Sequence, residues 1–379
     1  MKTDHPAHSP RQFTRRHFVS GLAVAAAAQA LLRAEEPVPL PTVGDEIRRA
    51  AAVAPLRLAF SGRTREELLA WQMEFAAELK KRIGSFETPR RWSPKALSRV
   101  ELADHVREEW LLESDGIASL PLYILVPSAA RHGRGPFPIV IALHGHSPFG
   151  HDSVVGIDHT EERRKNIRDL NYDYGRQLVR EGFLVVAPCM TPFGRRLDGA
   201  IYKSDPCAIT LVRMLLLGQT LMGANLRDVK WAVSHALTRP DARPDAVGCV
   251  GLSTGGRMTM LATALDDRIK VAVVSGALNV MQERIEAQYS CGAQVIPGLL
   301  EIGDTPEIGS LIAPRPCIWE VGSRDPLLKP KWVEVAKTRL RRAYAAAGVP
   351  DNVQFLHFEG AHVWAGTTAV PLLRRVLAS

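Results

Sequence analysis

The sequence lacks the short motifs by which several large enzyme classes hold their cofactors. It contains no G-x-G-x-x-G dinucleotide fingerprint, no P-loop, no H-E-x-x-H pair and no C-x-x-C motif. The absence of these motifs argues against nucleotide-dependent enzymes, zinc peptidases and dithiol oxidoreductases. We therefore expect no cofactor and no metal.

The chain also lacks a lysine- and arginine-rich run, although its formal net charge is +8 over 379 residues. Half of that charge lies in residues 1–34, so the remainder is only mildly basic. Because nucleic-acid binding needs a concentrated basic surface, we expect no nucleic-acid partner. A composition of 46% hydrophobic and 23% charged residues is typical of a globular protein, and no internal repeat is visible.

Cysteine is scarce, with five residues and no spacing typical of zinc ligands. Cys189, Cys249 and Cys317 lie in apolar runs and are expected in the core. Cys207 and Cys291 lie in polar, loop-like surroundings. An oxidising compartment would permit a disulfide between these two cysteines.

Long apolar runs are also absent, apart from a stretch over residues 18–32 that is short for a membrane span. It follows Arg15-Arg16, so residues 1–34 resemble a twin-arginine export signal. The alternative is a chance Arg-Arg before an amphipathic helix. The export interpretation predicts a bacterial periplasmic or secreted protein with no stable membrane association after cleavage.

Apolar strand-like runs alternate with helical patterns from about residue 105 onward. This alternation predicts an α/β fold with a mostly parallel central sheet and helices on both faces. Residues 35–104 are expected to form an N-terminal extension whose helix begins at the Thr64–Glu67 capping box, and residues 105–379 the catalytic domain. Long loops at 147–170, 190–209 and 283–312 are expected to shape the pocket.

The segment Gly251-Leu252-Ser253-Thr254-Gly255-Gly256 lies between a predicted strand and a predicted helix. A serine at the tip of such a turn has a strained backbone, and its neighbours two positions away must be small. This pattern predicts a nucleophile elbow with Ser253 as the nucleophile. The plain alternative is a glycine-rich turn without catalytic function.

A serine nucleophile needs a general base, and the base needs a carboxylate that orients it. Only His357 and His362 follow Ser253 in the chain, and His357 lies within a predicted strand. His362 lies in a loop just after that strand and is the expected base. Asp325, at the end of another predicted strand, is the expected acid. Its weaker rivals are Glu320, Glu301 and Asp304.

The oxyanion of an acyl-transfer reaction needs backbone N–H donors. Those of Thr254 and His146 are the expected pair, because His144-Gly145-His146 follows a predicted core strand. Trp364, two residues after His362, is a candidate for stacking on a sugar ring. Its alternative place is the hydrophobic core.

Together with Ala313-Pro314-Arg315-Pro316, Asp325-Pro326 and Gly360-Ala361-His362, the elbow and the His144–His146 loop resemble bacterial acetyl xylan esterase-like and dienelactone hydrolase-related α/β-hydrolases. The resemblance covers roughly residues 105–379. It implies an α/β-hydrolase fold, a Ser253–His362–Asp325 triad without metal, and ester hydrolysis through an acyl-enzyme. Dienelactone hydrolases proper use a cysteine where this chain has Ser253. Glucuronoyl esterases carry arginine where this chain has Thr254.

The expected function is therefore that of an exported serine esterase acting on a small-molecule or polysaccharide ester, with acetylated plant polysaccharide as the expected substrate. Two alternatives stay open at this point. One is a serine peptidase similar to prolyl oligopeptidases, although no propeller-like repeat is present. The other is a non-catalytic binding protein on a hydrolase scaffold. The sequence leaves the oligomeric state open.

Overall fold

The computed structural model describes residues 40–84, 87–198, 205–287 and 290–377, without the side chain of residue 287. The predicted export signal lies outside these residues. The described residues from 50 onward form one compact unit, and the described residues 40–49 group separately. No helix of the described segments is long and apolar enough to cross a membrane. The predicted boundary near residue 104 stays a prediction.

Nine strands in the described part of the chain form a single sheet in the order β1-β2-β3-β5-β4-β6-β7-β8-β9. Strands β4 to β9 are the six parallel strands of the sheet. Strand β3 separates them from the two edge strands β1 and β2. The bounds are β1 Ser93–Glu101, β2 His105–Glu113, β3 Leu120–Pro127, β4 Phe137–Leu143, β5 Leu184–Pro188, β6 Ala242–Leu252, β7 Ile269–Ser275, β8 Cys317–Gly322 and β9 Val353–Phe358.

The described residues also form α-helices. They are α1 Val43–Ala52, α2 Arg65–Ile83, α3 Ala129–His132, α4 Glu161–Leu170, α5 Tyr174–Arg180, α6 Pro206–Leu215, α7 Leu221–Ala236, α8 Thr254–Leu265, α9 Met281–Ala287, α10 Leu299–Ile302, α11 Thr305–Ser310, α12 Pro330–Ala346 and α13 Ala369–Leu377. Short 3-10 turns occupy residues 150–152, 194–196, 292–294 and 350–352.

The sequence of β4 is apolar without interruption because both faces of the strand are buried. Ile139 and Ile141 point into a core that includes side chains of α2, α7, α8 and α12. Val140 and Ala142 point into a second core that includes side chains of α5 and α13. Because successive side chains alternate between two buried faces, every position of the strand must be apolar. The predicted α/β architecture with helices on both faces is confirmed.

The edge of the sheet differs from the sequence prediction. Strands β2 and β3 form an antiparallel pair, and the outermost strand is β1, which the sequence analysis did not predict. All nine residues of β1 are exposed, so the strand has no buried face and no hydrophobic alternation to reveal it. The segment 283–312, expected to be rich in loops, contains α10, α11 and most of α9.

Helix α2 packs on the sheet through its apolar side chains. Thr64 accepts a hydrogen bond from the N–H of Glu67, whose carboxylate accepts from the N–H of Thr64, which is the predicted capping box. Leu68, Phe75 and Leu79 are buried in the same core as strands β3 to β8. The helix therefore has a structural role in covering one face of the sheet.

Candidate active site

Ser253 connects β6 to α8 through a sharp turn at the carboxyl end of the parallel strands. Its backbone has φ 63° and ψ −122°, a region that residues with a side chain rarely adopt. The Ser253 N–H donates to the carbonyl of Ser275 at 2.9 Å, and its carbonyl accepts from the Arg257 N–H at 2.9 Å. This geometry is that of a nucleophile elbow.

The glycines of the elbow are required because backbone segments meet there. A Cβ on Gly255 would lie 2.0 Å from the carbonyl oxygen of Leu143, at the end of β4. A Cβ on Gly251 would lie 2.5 Å from the carbonyl oxygen of Gly255. The G-x-S-x-G spacing thus lets α8 begin directly against the neighbouring strand, which a larger residue would prevent.

His362 and Asp325 are brought into direct contact. Asp325 follows β8, His362 follows β9, and the His362 Nδ1 lies 2.7 Å from Asp325 Oδ2. The two loops are joined by hydrogen bonds from Ser323 N–H to the Phe358 carbonyl and from Arg324 N–H to the Gly360 carbonyl. Because the carboxylate can only accept from the ring, Nδ1 carries the proton and Nε2 is left as the basic nitrogen.

The His362 ring lies beside the elbow, although it is not hydrogen-bonded to Ser253. A Cβ on Gly276 would lie 2.8 Å from His362 Cε1, and Gly276 lines the same pocket as Ser253. The Nε2 atom is buried and has no hydrogen-bond partner among the described residues. The structure therefore joins Asp325 to His362 and places the ring near Ser253, with its basic nitrogen unpaired.

The two predicted oxyanion donors lie on either side of the elbow. Thr254 is the first residue of α8, where a backbone N–H has no acceptor within the helix. The His144–His146 loop approaches from β4: a Cβ on Gly145 would lie 3.1 Å from Ser253 Cβ. His146 lines the same pocket as Ser253. Both N–H groups therefore belong to backbone segments next to the serine.

The buried ring of His144 holds this loop in place through hydrogen bonds. Its ring is fully buried, with Nδ1 2.8 Å from the Gly145 carbonyl and Nε2 2.8 Å from the Met190 N–H. Burial lowers the pKa of His144 to about 4. The Gly145 N–H donates to the Tyr172 hydroxyl. These bonds connect the loop to the segment after β5 and to the start of α5.

A pocket of about 370 Å³ opens above Ser253. Besides His146, Ser253, Gly276 and Cys291, its lining includes polar side chains that the sequence analysis did not single out: Arg257, Asn279, Arg284 and Gln294. Pro206, Ala277 and Leu327 add apolar surface, so the pocket combines apolar walls with polar and cationic side chains.

Arg257 organises several of these groups. Its guanidinium donates to Gln294 Oε1 at 2.9 Å and to Thr305 Oγ1 at 2.7 Å, and also to the Asn279 side chain. Burial lowers the pKa of Arg257 to about 10, and the nearby Arg284 contributes. Arg257 lies one helical turn after Ser253, and that spacing is the signal that could have indicated it from the sequence.

Trp364 does not line the pocket, and its prediction as a sugar-stacking residue is wrong. Its side chain is 2% exposed and packs on Tyr174 with ring centroids 4.8 Å apart. The Trp364 N–H donates to the Leu170 carbonyl at 3.0 Å. The tryptophan therefore belongs to the core on the α5 and α13 face, which was the alternative interpretation.

The rival acids have other partners. Glu301 is paired with Arg82 on the surface, and Asp304 accepts from the Met281 and Thr305 N–H groups. Glu320 is buried within β8 and accepts from the Gly366 N–H at 3.2 Å, and burial raises the pKa of Glu320. His357, within β9, contacts Lys337 Nζ at 3.3 Å.

Three residues distant in sequence meet at the wall of the pocket. The side-chain donor atoms of His146, Cys207 and Cys291 all lie within 4.8 Å of one another, the one such group among the described residues that could hold a metal ion. Cys207 is fully buried in α6, which corrects the expected polar loop, and both cysteines are free thiols. Hydrogen bonding to Cys207 and His146 lowers the pKa of Cys291.

Comparison with known proteins identifies the class of this chain. Residues 155–295, a segment that includes Ser253, match the model of the dienelactone hydrolase family. The presumed hydrolase YtaP of Bacillus subtilis strain 168 is 27% identical over 297 residues, which are 75% of this chain and 92% of the relative. The chain is therefore a hydrolase, as predicted.

Solved structures confirm the fold. A presumed acetyl xylan esterase from Bacteroides fragilis is 20% identical with a TM-score of 0.74, covering 91% of this chain and 97% of that one. A glucuronoyl esterase from Teredinibacter turnerae is 18% identical with a TM-score of 0.61, covering 90% and 93%. The predicted resemblance to α/β-hydrolases of the acetyl xylan esterase and dienelactone hydrolase type is confirmed.

Proposed function

We propose that this hydrolase with the α/β-hydrolase fold is a serine esterase that cleaves carboxylic esters through Ser253, His362 and Asp325. The observation that carries the proposal is the strained Ser253 backbone next to a histidine whose Nδ1 contacts a carboxylate at 2.7 Å. The unpaired Nε2 of His362 is available to take the proton of the Ser253 hydroxyl.

In the first half of the proposed reaction, Ser253 Oγ attacks the ester carbonyl while His362 Nε2 accepts its proton. Asp325 stabilises the resulting imidazolium. The backbone N–H groups of Thr254 and His146 donate to the oxyanion, and each such donor is worth on the order of 3 kcal/mol of the barrier. The imidazolium then returns the proton to the leaving alcohol, which leaves an acyl group on Ser253.

In the second half, His362 accepts a proton from water, and the hydroxide attacks the acyl carbonyl. The tetrahedral intermediate collapses, the acid departs, and Ser253 recovers its proton from His362. No external oxidant or cofactor is needed for either step. The acetyl xylan esterase-like neighbour supports a short acyl group and acetylated polysaccharide as the substrate class.

The decisive experiment compares Ser253→Ala with the unaltered chain on p-nitrophenyl acetate and on acetylated xylan. Loss of the nucleophile should lower kcat by roughly four to six orders of magnitude. Ser98→Ala is the matched control, because it removes the same hydroxyl from the exposed edge strand β1. Near-normal turnover by Ser253→Ala would reject the assignment.

Covalent labelling by an organophosphonate separates an enzyme from a binding protein. The expected result is one label per chain, located on Ser253 and absent from Ser253→Ala. A panel of acetyl, butyryl, feruloyl and methyl-glucuronate esters then defines the acyl group and the alcohol. Cleavage of prolyl peptides in preference to all these esters would favour the peptidase alternative.

Export remains part of the proposal. Residues 1–34 would direct the folded chain out of the cytoplasm to the periplasm or beyond, which suits a polymeric substrate. Fusion of these residues to a reporter that folds before export tests the idea, with Arg15→Lys and Arg16→Lys together as the matched variant. Equal export of both fusions would contradict a twin-arginine signal.

A further inference from the structure

Three donor atoms converge at the pocket wall from three separate parts of the fold. His146 follows β4, Cys207 lies in the first turn of α6, and Cys291 immediately precedes the 3-10 turn at 292–294. Their donor atoms lie within 4.8 Å of one another. In a tetrahedral zinc site, metal–ligand distances of about 2.3 Å to sulfur and about 2.0 Å to nitrogen place neighbouring donors roughly 3.5 to 4 Å apart. The cluster therefore fits around one such ion.

The surroundings hold these donors in place. Cys291 Sγ accepts a hydrogen bond from the Ala293 N–H at 3.4 Å, a contact that favours a thiolate. A Cβ on Gly292 would lie 2.6 Å from the Cys207 carbonyl, so the two cysteine segments are in backbone contact. The His146 ring packs edge-on against Phe193 with centroids 5.1 Å apart. Outer contacts of this kind orient the ligands of protein metal sites.

We propose that His146, Cys207 and Cys291 form a binding site for one soft divalent cation, with Zn²⁺ the best match, in the wall of the pocket that contains Ser253. One imidazole and two thiolates are ligands that zinc prefers. Binding replaces two thiol protons, which pass to the buffer, so the two thiolates neutralise the ion. This neutralisation matters because Arg257 and Arg284 line the same pocket.

The position of the site predicts that a bound ion inhibits the proposed esterase reaction and does not take part in it. His146 and Cys291 line the pocket, whereas Cys207 is buried behind it. Three protein ligands leave a coordination position open, and an ion bound at this wall would share the pocket with Ser253. An ion there would occupy the room that an ester needs next to the proposed oxyanion donors. This consequence rests on the proposed esterase function, whereas cation binding itself does not.

The binding test uses the full purified chain, reduced and freed of metal with a chelator. Equilibrium dialysis against Zn²⁺ in competition with a chromogenic chelator should show one ion per chain. Cys291→Ser and Cys207→Ser should each weaken binding at least about 100-fold, whereas Cys317→Ala, which removes a buried thiol of β8, should not. Co²⁺ should give the visible bands of tetrahedral cobalt and a thiolate charge-transfer band, both lost in Cys291→Ser.

Absence of saturable Zn²⁺ binding would overturn the site, as would equal binding by the Cys207→Ser, Cys291→Ser double variant. Isolation of the chain with Cys207 and Cys291 joined in a disulfide that reductants do not open would also overturn it, since a disulfide is not a thiolate ligand.

Inhibition is measured separately, as the rate of p-nitrophenyl acetate hydrolysis with and without Zn²⁺. The unaltered chain should lose activity at one ion per chain and regain it with EDTA. Cys291→Ser, compared with its own zinc-free rate, should resist the same concentration. Stoichiometric binding with full activity would overturn the placement in the pocket. Absence of esterase activity with intact binding would instead refute the proposed function.

Discussion

Protonation of His144 at acidic pH should destabilise the loop that bears the proposed oxyanion donor. The Met190 N–H can only donate, so His144 Nε2 must accept and the proton must reside on Nδ1, facing the Gly145 carbonyl. A second proton on the ring would turn Nε2 from an acceptor into a donor, and it would then face the Met190 N–H, which is also a donor. The ring is fully buried, and burial lowers the pKa of His144 to about 4.

The sign and size of the effect follow from proton linkage. In the unfolded chain, histidine has a pKa of about 6.5. Between that value and about 4, the unfolded state binds a proton that folded His144 does not. The free energy of unfolding therefore falls as the pH is lowered through this window and is unaffected by this residue well above pH 6.5. Between pH 7 and pH 5 the loss is about 2 kcal/mol.

Urea unfolding at pH 7, 6 and 5, carried out on the unaltered chain and on His144→Gln, measures the contribution of His144 to the pH dependence of the free energy of unfolding. The variant should be less stable at pH 7, because packing and a hydrogen bond are disturbed. Its further loss between pH 7 and pH 5 should nevertheless be smaller than that of the unaltered chain by about 2 kcal/mol. The comparison of the two pH dependences cancels every other titrating group.

His159→Gln provides the control, because His159 is exposed and its replacement should leave the pH dependence unchanged. Equal losses of stability in the unaltered chain and in His144→Gln would refute the argument. Such a result would mean that His144 accepts a proton in the folded state as readily as in the unfolded one.

Three further predictions address the elbow, the acid and the core. Gly255→Ala places a Cβ 2.0 Å from the Leu143 carbonyl and should destabilise the fold by at least about 2 kcal/mol in thermal unfolding, so an unchanged midpoint would contradict the packing. Asp325→Asn should lower kcat by about 10⁴ with little change in KM, because the His362 tautomer is no longer fixed; a loss in KM alone would argue for a binding role. Trp364→Phe should lower the melting temperature and leave KM for acetylated xylan unchanged, whereas a selective rise in KM would restore the stacking role.

Local sequence patterns predicted some of the residues around Ser253 and gave only a weak signal for others. The elbow could be predicted because Gly251 and Gly255 lie two positions on either side of Ser253, where a Cβ on Gly251 would meet the Gly255 carbonyl. His362 and Asp325 could be named because each lies in a loop directly after a recognisable apolar strand. Arg257 carried a weaker signal, its one-turn spacing from the serine on α8.

Sequence alone determined the parallel sheet, the elbow and the order of the predicted catalytic residues, because strand burial and turn sterics depend on neighbours a few positions away. Tertiary structure decided that Trp364 is covered by Tyr174 and that the exposed strand β1 completes the sheet edge. It also brought Cys207 and Cys291 to His146. These outcomes depend on how helices and loops pack over the sheet, and such packing joins residues that no short pattern connects.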